Sequence, residues 1–231
     1  MKRFLIVCIA TVFVCYFGGE FAAMNLSEKF TLYQNDLPSR VTFRNSVAVD
    51  TETMGLVIKR DRLCLVQLCS EDGEVHMVQI QKNQQHRAEN LKRLLTDPSI
   101  LKIFHFARFD VAILNYAFGI KVNPIYCTKI ASKLTRTYSD RHGLKDLCRE
   151  ILGIDLSKQE QSSDWGREEL SPEQQRYAAG DVVHLHKIKS KLDEMLIRED
   201  RMALAEKCFK IAEIFSDLQL ADINPDELFT H

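Results

Sequence analysis

Residues 46–80 read SVAVDTETMGLVIKRDRLCLVQLCSEDGEVHMVQI. Ser46–Asp50, Arg62–Ser70 and Glu74–Ile80 are β-branched or partly alternating runs, and Glu71-Asp72-Gly73 between the last two carries turn chemistry. The segment predicts a meander of three strands. The first run leads into Asp50 and Glu52, two residues apart, so strand alternation sends both carboxylates to one face and Thr51 to the other. Two anions side by side at a strand end repel one another unless cations intervene.

Toward the C-terminus the apolar period lengthens. Leu91, Leu94 and Leu95 predict a helix ending near Asp97-Pro98, Leu101–His105 a buried strand, Val111–Phe118 a helix closed by Gly119, and Pro124–Cys127 another short strand. Ile130–Leu134, Leu144–Leu152 and a long segment from Pro172 to about Arg198 read as helices, the last with Ser171 as N-cap and Pro172 at its first position. Ala203–Phe215 is expected to be the final helix and Asp222–His231 a tail. A meander followed by alternating helices and strands is an α/β pattern with a mixed sheet. No repeat with a period of roughly 20–50 residues and no Pro/Gly/Ser-rich linker interrupts residues 24–231, which are expected to form one domain.

Toward the N-terminus, Lys2 and Arg3 precede an apolar run from Phe4 to Phe17 that resembles a signal-peptide core and is short for a bilayer span. Gly18–Ala23 makes a poor cleavage site, because Glu20 and Phe21 stand where small residues are wanted. Residues 1–23 are therefore expected to be an over-extended reading frame before Met24, with a cytoplasmic body; the alternative is an export signal or anchor. Over the whole chain of 231 residues, 31 basic and 32 acidic side chains leave a charge of −1, with no global basic field for long nucleic acid. Without residues 1–23 the balance is 29 basic to 31 acidic, or −2. Seven cysteines, an odd number without a CxxC pair, suit a reducing compartment, where free thiols pack as small hydrophobes.

Three further positions complete a set of oxygen ligands. Asp110 lies early in a helix after the buried strand, and Tyr177 and Asp181 stand four apart on the long late helix, facing one way. Alone, each fragment reads most simply as a solvated carboxylate. Together, a strand end, a helix start and a helix face can converge on one point of an α/β sheet.

VAVDTETMGL at 47–56, HFARFD at 105–110 and YAAGD at 177–181 resemble the three motifs of the DEDD 3′–5′ exonucleases, in the tyrosine-bearing branch; Arg176 stands where the other branch carries histidine. KQEQSSDW at 158–165 and LSPEQQRY at 170–177 are similar to ribonuclease D relatives. DLP at 36–38, RDRLCLVQL at 60–68 and the ending DELFTH resemble the compact NrnC-type nanoRNases. The resemblance implies a ribonuclease H-like (DnaQ-like exonuclease) mixed sheet flanked by helices. It implies two-metal phosphodiester hydrolysis with Mg²⁺ or Mn²⁺, the ions about 3.5–4 Å apart. Asp50 would bridge both ions, Glu52 and Asp181 would hold the one that binds the attacking water, Asp110 would help hold the other, and Tyr177 would orient that water and could assist its deprotonation. With both ions bound, the body would change from −2 to +2.

The resemblance implies very short single-stranded RNAs as substrates, dinucleotides such as pGpG above all, and a homo-oligomer in the form of a ring-shaped octamer. The runner-up activity is ribonuclease D-like trimming of tRNA or other structured RNA. A third reading, from another class, is a catalytically silent RNA-binding or scaffold protein. Leu56 resembles an apolar wedge against the terminal bases and Met54 lies where a terminal ribose would approach; core packing is the alternative for both. His105, Phe106 and Arg108 border Asp110 and could contact substrate, with a hydrogen-bonded structural role equally open for His105. Arg136, Tyr138, Arg141, His142 and Lys145 form a basic-aromatic cluster that could contact a 5′-phosphate or backbone, or could simply be a solvated helix end. Trp165 reads as a packing anchor for the loop before the late helix, with base stacking as the other reading, and Lys187–Lys191 as a wet helix face.

Overall fold

The fold is known from a computed structural model, which describes residues 30–156 and 162–229. Strands β1 (Phe30–Gln34), β2 (Ser46–Thr53), β3 (Leu63–Cys69), β4 (Val75–Gln79), β5 (Leu101–Phe104) and β6 (Ile125–Cys127) form one sheet in the order β1-β4-β3-β2-β5-β6. β2, β3 and β4 pair antiparallel as the expected meander, whereas β1 runs parallel to β4, β5 to β2 and β6 to β5. The sheet is mixed and flanked by helices, an α/β architecture of the ribonuclease H-like kind.

Burial explains why the strands read as they do. Every residue of β3 (LCLVQLC) and β4 (VHMVQ) is buried, so neither strand shows clean polar alternation. One strand lies outside the expected set. Phe30–Gln34 pairs along β4 with Leu32 and Tyr33 half-buried and Thr31 and Gln34 exposed, a short half-wet edge that offers a weaker pattern than the central strands.

The helices are α1 (Glu89–Thr96), α2 (Ala107–Phe118), α3 (Thr128–Thr135), α4 (Leu144–Leu147), α5 (Pro172–Val183), α6 (Leu185–Arg198), α7 (Met202–Phe209), α8 (Ile211–Leu220) and α9 (Pro225–Phe229). The expected helix 144–152 begins as α4 and continues as a π turn, Cys148–Leu152, ending at Gly153 in the left-handed region. α5 starts where Ser171 predicts, with a full capping box: the Ser171 hydroxyl accepts from Gln174 N–H and the Gln174 side chain accepts from Ser171 N–H. Gly119 ends α2 at φ 63°, as expected of a glycine C-cap.

Three expectations need correction. The segment from Pro172 to Arg198 is two helices, broken at His184 just after the β-branched pair Val182-Val183, where no Gly or Pro signals the break. Ala203–Phe215 is likewise divided at Lys210 into α7 and α8. The tail contains α9. The expected extension 1–23 lies outside the described residues, among which no helix is long and apolar enough to cross a membrane. The cysteines described, at 64, 69, 127, 148 and 208, are free, and the first four are buried.

Candidate active site

Parallel strands of an open α/β sheet deliver their following residues to the edge at their carboxyl ends. β2, β5 and β6 run parallel to one another, and their ends lead to Glu52, to His105 and α2, and to Thr128 and α3. α5 packs across β2, β3 and β4. One cleft of about 550 Å³ is lined from all of these: Asp50, Glu52, Asp110, Tyr177 and Asp181 share it with Leu56, His105, Phe106, Lys129 and Lys145.

Asp50, Glu52 and Asp181 each bring a carboxylate oxygen to a point where all three oxygens lie within 4.8 Å of one another. Asp110, on the first turn of α2, is buried and accepts a 2.7 Å hydrogen bond from the Thr51 hydroxyl. Asp110 shares the cleft with the triad and its charge acts on Asp50, but it is held by Thr51 and stands beside the three clustered oxygens.

Burial dominates the electrostatics. It lifts Asp50 well above the usual carboxylate range, with Asp110, Asp181 and Glu52 adding repulsion. Burial and then Asp181 and Asp110 push Glu52 up to about 9. Asp110 and Asp181 are each raised to about 7 by burial, opposed by the hydroxyls of Thr51 and Tyr177 respectively. Tyr177 is raised far above an ordinary phenol by burial and by the charges of Asp181, Glu52 and Asp50. A crowded set of half-buried oxygens that resists ionisation suits a hard divalent cation, which binds carboxylates by replacing their protons. Asp50, Glu52 and Asp181 fit such an ion, with Asp110 alongside.

The remaining expected residues separate into two groups. Leu56 lines the cleft at 81% exposure and Met54 is 59% exposed, which excludes core packing for both. His105 also lines the cleft, but Nδ1 bonds the Thr128 hydroxyl at 2.9 Å and burial drives its pKa down to about 3, so it is a neutral, structurally held imidazole. Arg108 and Arg141 lie outside the cleft lining: Arg108 stacks over the Phe215 ring at 4.9 Å, and Arg141 is exposed. Arg136 is a correction. Its side chain is buried against Glu150 and donates to the Arg141 carbonyl and the Ser132 hydroxyl, leaving no face for a substrate. Trp165 is 3% exposed with its ring tilted over Tyr177, centroids 6.1 Å apart, a packing anchor.

Two cleft residues carry more weight than the sequence reading assigns them. Phe106 sits at φ 68°, a conformation that costs a non-glycine residue about 1 kcal/mol or more, with its ring 46% exposed. Lys129 lies over that ring at 4.0 Å. Lys129 was absent from the expected set, although its place just after a parallel strand is a usable signal. The loop bearing Leu56 is braced by Asp61, whose carboxylate accepts from Val57 N–H at 2.9 Å and packs so close to Gly55 that a Cβ there would lie 2.3 Å from it.

Comparison with known proteins agrees with this geometry. Residues 31–197 match the 3′–5′ exonuclease family. The ribonuclease D of Gluconacetobacter diazotrophicus is 36% identical over 156 residues, 68% of this chain and 39% of that protein; the chain thus spans about two fifths of the curated relatives' length. The structure of Brucella melitensis NrnC with bound Mg²⁺ superposes with a TM-score of 0.83 at 48% identity, covering 88% of this chain and 99% of that one. The same protein bound to pGG gives 0.84 at 49% identity over 88% and 98%. Escherichia coli RNase D gives 0.66 at 25% identity, covering 75% of this chain and 45% of that one. With its carboxylates gathered at the sheet edge and these likenesses along most of its length, the chain belongs to the 3′–5′ exonuclease family, on its ribonuclease D-like, NrnC-type side.

Proposed function

We propose that the chain is a 3′–5′ exoribonuclease that hydrolyses very short RNAs, dinucleotides above all, to mononucleotides. The carrying observation is the convergence of Asp50, Glu52 and Asp181 within 4.8 Å, in a cleft of about 550 Å³ that also holds Tyr177 and Asp110. A cleft of that volume suits a small ligand better than a long strand, and similarity to a protein bound to pGG supports the same reading.

Two divalent cations, Mg²⁺ or Mn²⁺, would be held by Asp50, Glu52 and Asp181 with help from Asp110. Bound there they supply Lewis acidity at the phosphate and lower the pKa of a coordinated water. Tyr177 donates a hydrogen bond to Asp181, which sets its hydroxyl to orient the attacking water. Leu56 presents apolar surface to a terminal base, the exposed Phe106 ring offers a stacking face, and Lys129 and Lys145 balance phosphate charge. Free buried thiols accord with a reducing cytoplasm. The quaternary form to test by sedimentation is the ring-shaped homo-octamer that the motif resemblance implies.

The test is turnover on labelled RNAs of three lengths: a 2-mer, a 7-mer and a tRNA precursor. The dinucleotide is expected to be cut fastest. Equal or faster trimming of the longer RNAs would replace this reading with ribonuclease D-like maturation. Asp50→Ala is expected to lower turnover by more than about a hundredfold, the upper range for losing an outer-shell partner alone; undiminished activity would remove the assigned chemistry.

A further inference from the structure

Gln67 is a fully buried amide in β3, whose other residues are Leu63, Cys64, Leu65, Val66, Leu68 and Cys69. Burying an amide without partners costs on the order of 1–3 kcal/mol, so its presence in this row asks for a reason. The antiparallel register sets Gln67 directly opposite Asp50, which puts both side chains on one face. Gln67 Nε2 donates to Asp50 Oδ2 at 3.5 Å, the outer limit of such a bond. Gln67 Oε1 is buried and has no hydrogen-bond partner among the described residues. With Asp50 ionised as a metal ligand, this is the amide orientation that sets a donor against the carboxylate. The other pairs of this register on the same face are Ala48 with Cys69 and Glu52 with Leu65, and neither Cys69 nor Leu65 offers an amide.

We infer that Gln67 is a positioning residue for the metal site: its amide holds the Asp50 carboxylate and thereby raises the affinity for divalent cations. Ligating carboxylates act through such outer hydrogen bonds, which set the direction of the lone pairs left for the ion. The cost of the unpartnered Oε1 is consistent with a residue kept for the site and not for the core. The inference rests on the reading of Asp50 as a metal ligand.

The test is Mn²⁺ binding to the full chain without RNA, followed by electron paramagnetic resonance, for the parent, Asp50→Ala, Gln67→Met and Gln67→Leu. Metal-free thermal unfolding is recorded in parallel. Both Gln67 variants are expected to bind Mn²⁺ about ten- to a hundredfold more weakly, while their metal-free melting temperature holds or rises. Unchanged Mn²⁺ affinity in the folded variants overturns the inference. So does loss of folding in both, which would make Gln67 a packing residue. Asp50→Ala separates the two levels. If it also leaves Mn²⁺ affinity untouched, the site itself is misassigned; if it abolishes binding and the Gln67 variants do not, only the role of Gln67 fails.

Discussion

Tyr177 and Leu56 show how single side chains divide the work of the cleft. The Tyr177 phenol, held protonated by burial and by three carboxylates, loses only an orienting hydrogen bond when replaced by phenylalanine. Tyr177→Phe is expected to lower kcat on a dinucleotide by about a hundredfold, the upper range for losing an outer hydrogen bond to a metal-ligating carboxylate, here Asp181. Wild-type kcat in that variant would remove Tyr177 from the reaction. Leu56 is 81% exposed, so folding has little stake in it. Leu56→Ala is expected to change stability by no more than about 0.5 kcal/mol and to raise KM for a dinucleotide about tenfold, roughly the worth of a partly buried leucine. Steady-state kinetics and thermal unfolding on one preparation check both halves. Arg136 teaches the converse. Its position in a basic cluster suggests a phosphate contact, but its guanidinium is spent on Glu150 and on the Arg141 carbonyl.

At the scale of elements, the site depends on how three strand ends and one helix are held. The capping box at Ser171 fixes the start of α5, and Gln174 in the same turn also donates to the Ser163 hydroxyl and the Asp164 carbonyl, tying down the loop that carries Trp165. Ser171→Ala is expected to cost about 1 kcal/mol of unfolding free energy, read from denaturant curves with unchanged slope; a loss near zero would show that Pro172 alone sets the helix start. The start of α5 was readable because Ser171-Pro172 carries its own local cap chemistry. The break at His184 was not, because no Gly or Pro stands between Asp181 and Lys187 to mark it. Edge strand β1 was missed because its half-exposed pattern is ambiguous until β4 is beside it.

At the scale of the molecule, the buried carboxylates set a pH signature for the metal-free protein. Asp110 and Asp181 at about 7 and Glu52 at about 9 lie above the ordinary carboxylate range, which is near pH 4. Between the unfolded and folded values the native state holds protons that the unfolded chain has released. The stability these groups contribute is therefore full in acid and is lost as pH rises through about 7 and then about 9. A divalent cation takes the place of those protons. Adding Mg²⁺ is expected to raise the melting temperature more at pH 8 than at pH 5.5, measured by calorimetry in matched buffers. An equal rise at both pH values would mean that the carboxylates are not the ion's ligands.

Much of this protein was legible before any coordinates. The meander, the capped start of α5 and the glycine-closed α2 follow from periods and turn chemistry, properties of short stretches of chain, while Asp50, Glu52, Asp110, Tyr177 and Asp181 were picked out as a set by resemblance to the exonuclease motifs and line one cleft. Tertiary structure decided what distance in space controls: that Asp110 reaches the cluster through Thr51, that Arg136 is buried, that Lys129 enters the cleft, and that Gln67 lies against Asp50. Local sequence sets the direction in which a side chain leaves the backbone, whereas burial and partners come from segments far away along the chain, and only the packed sheet brings those together.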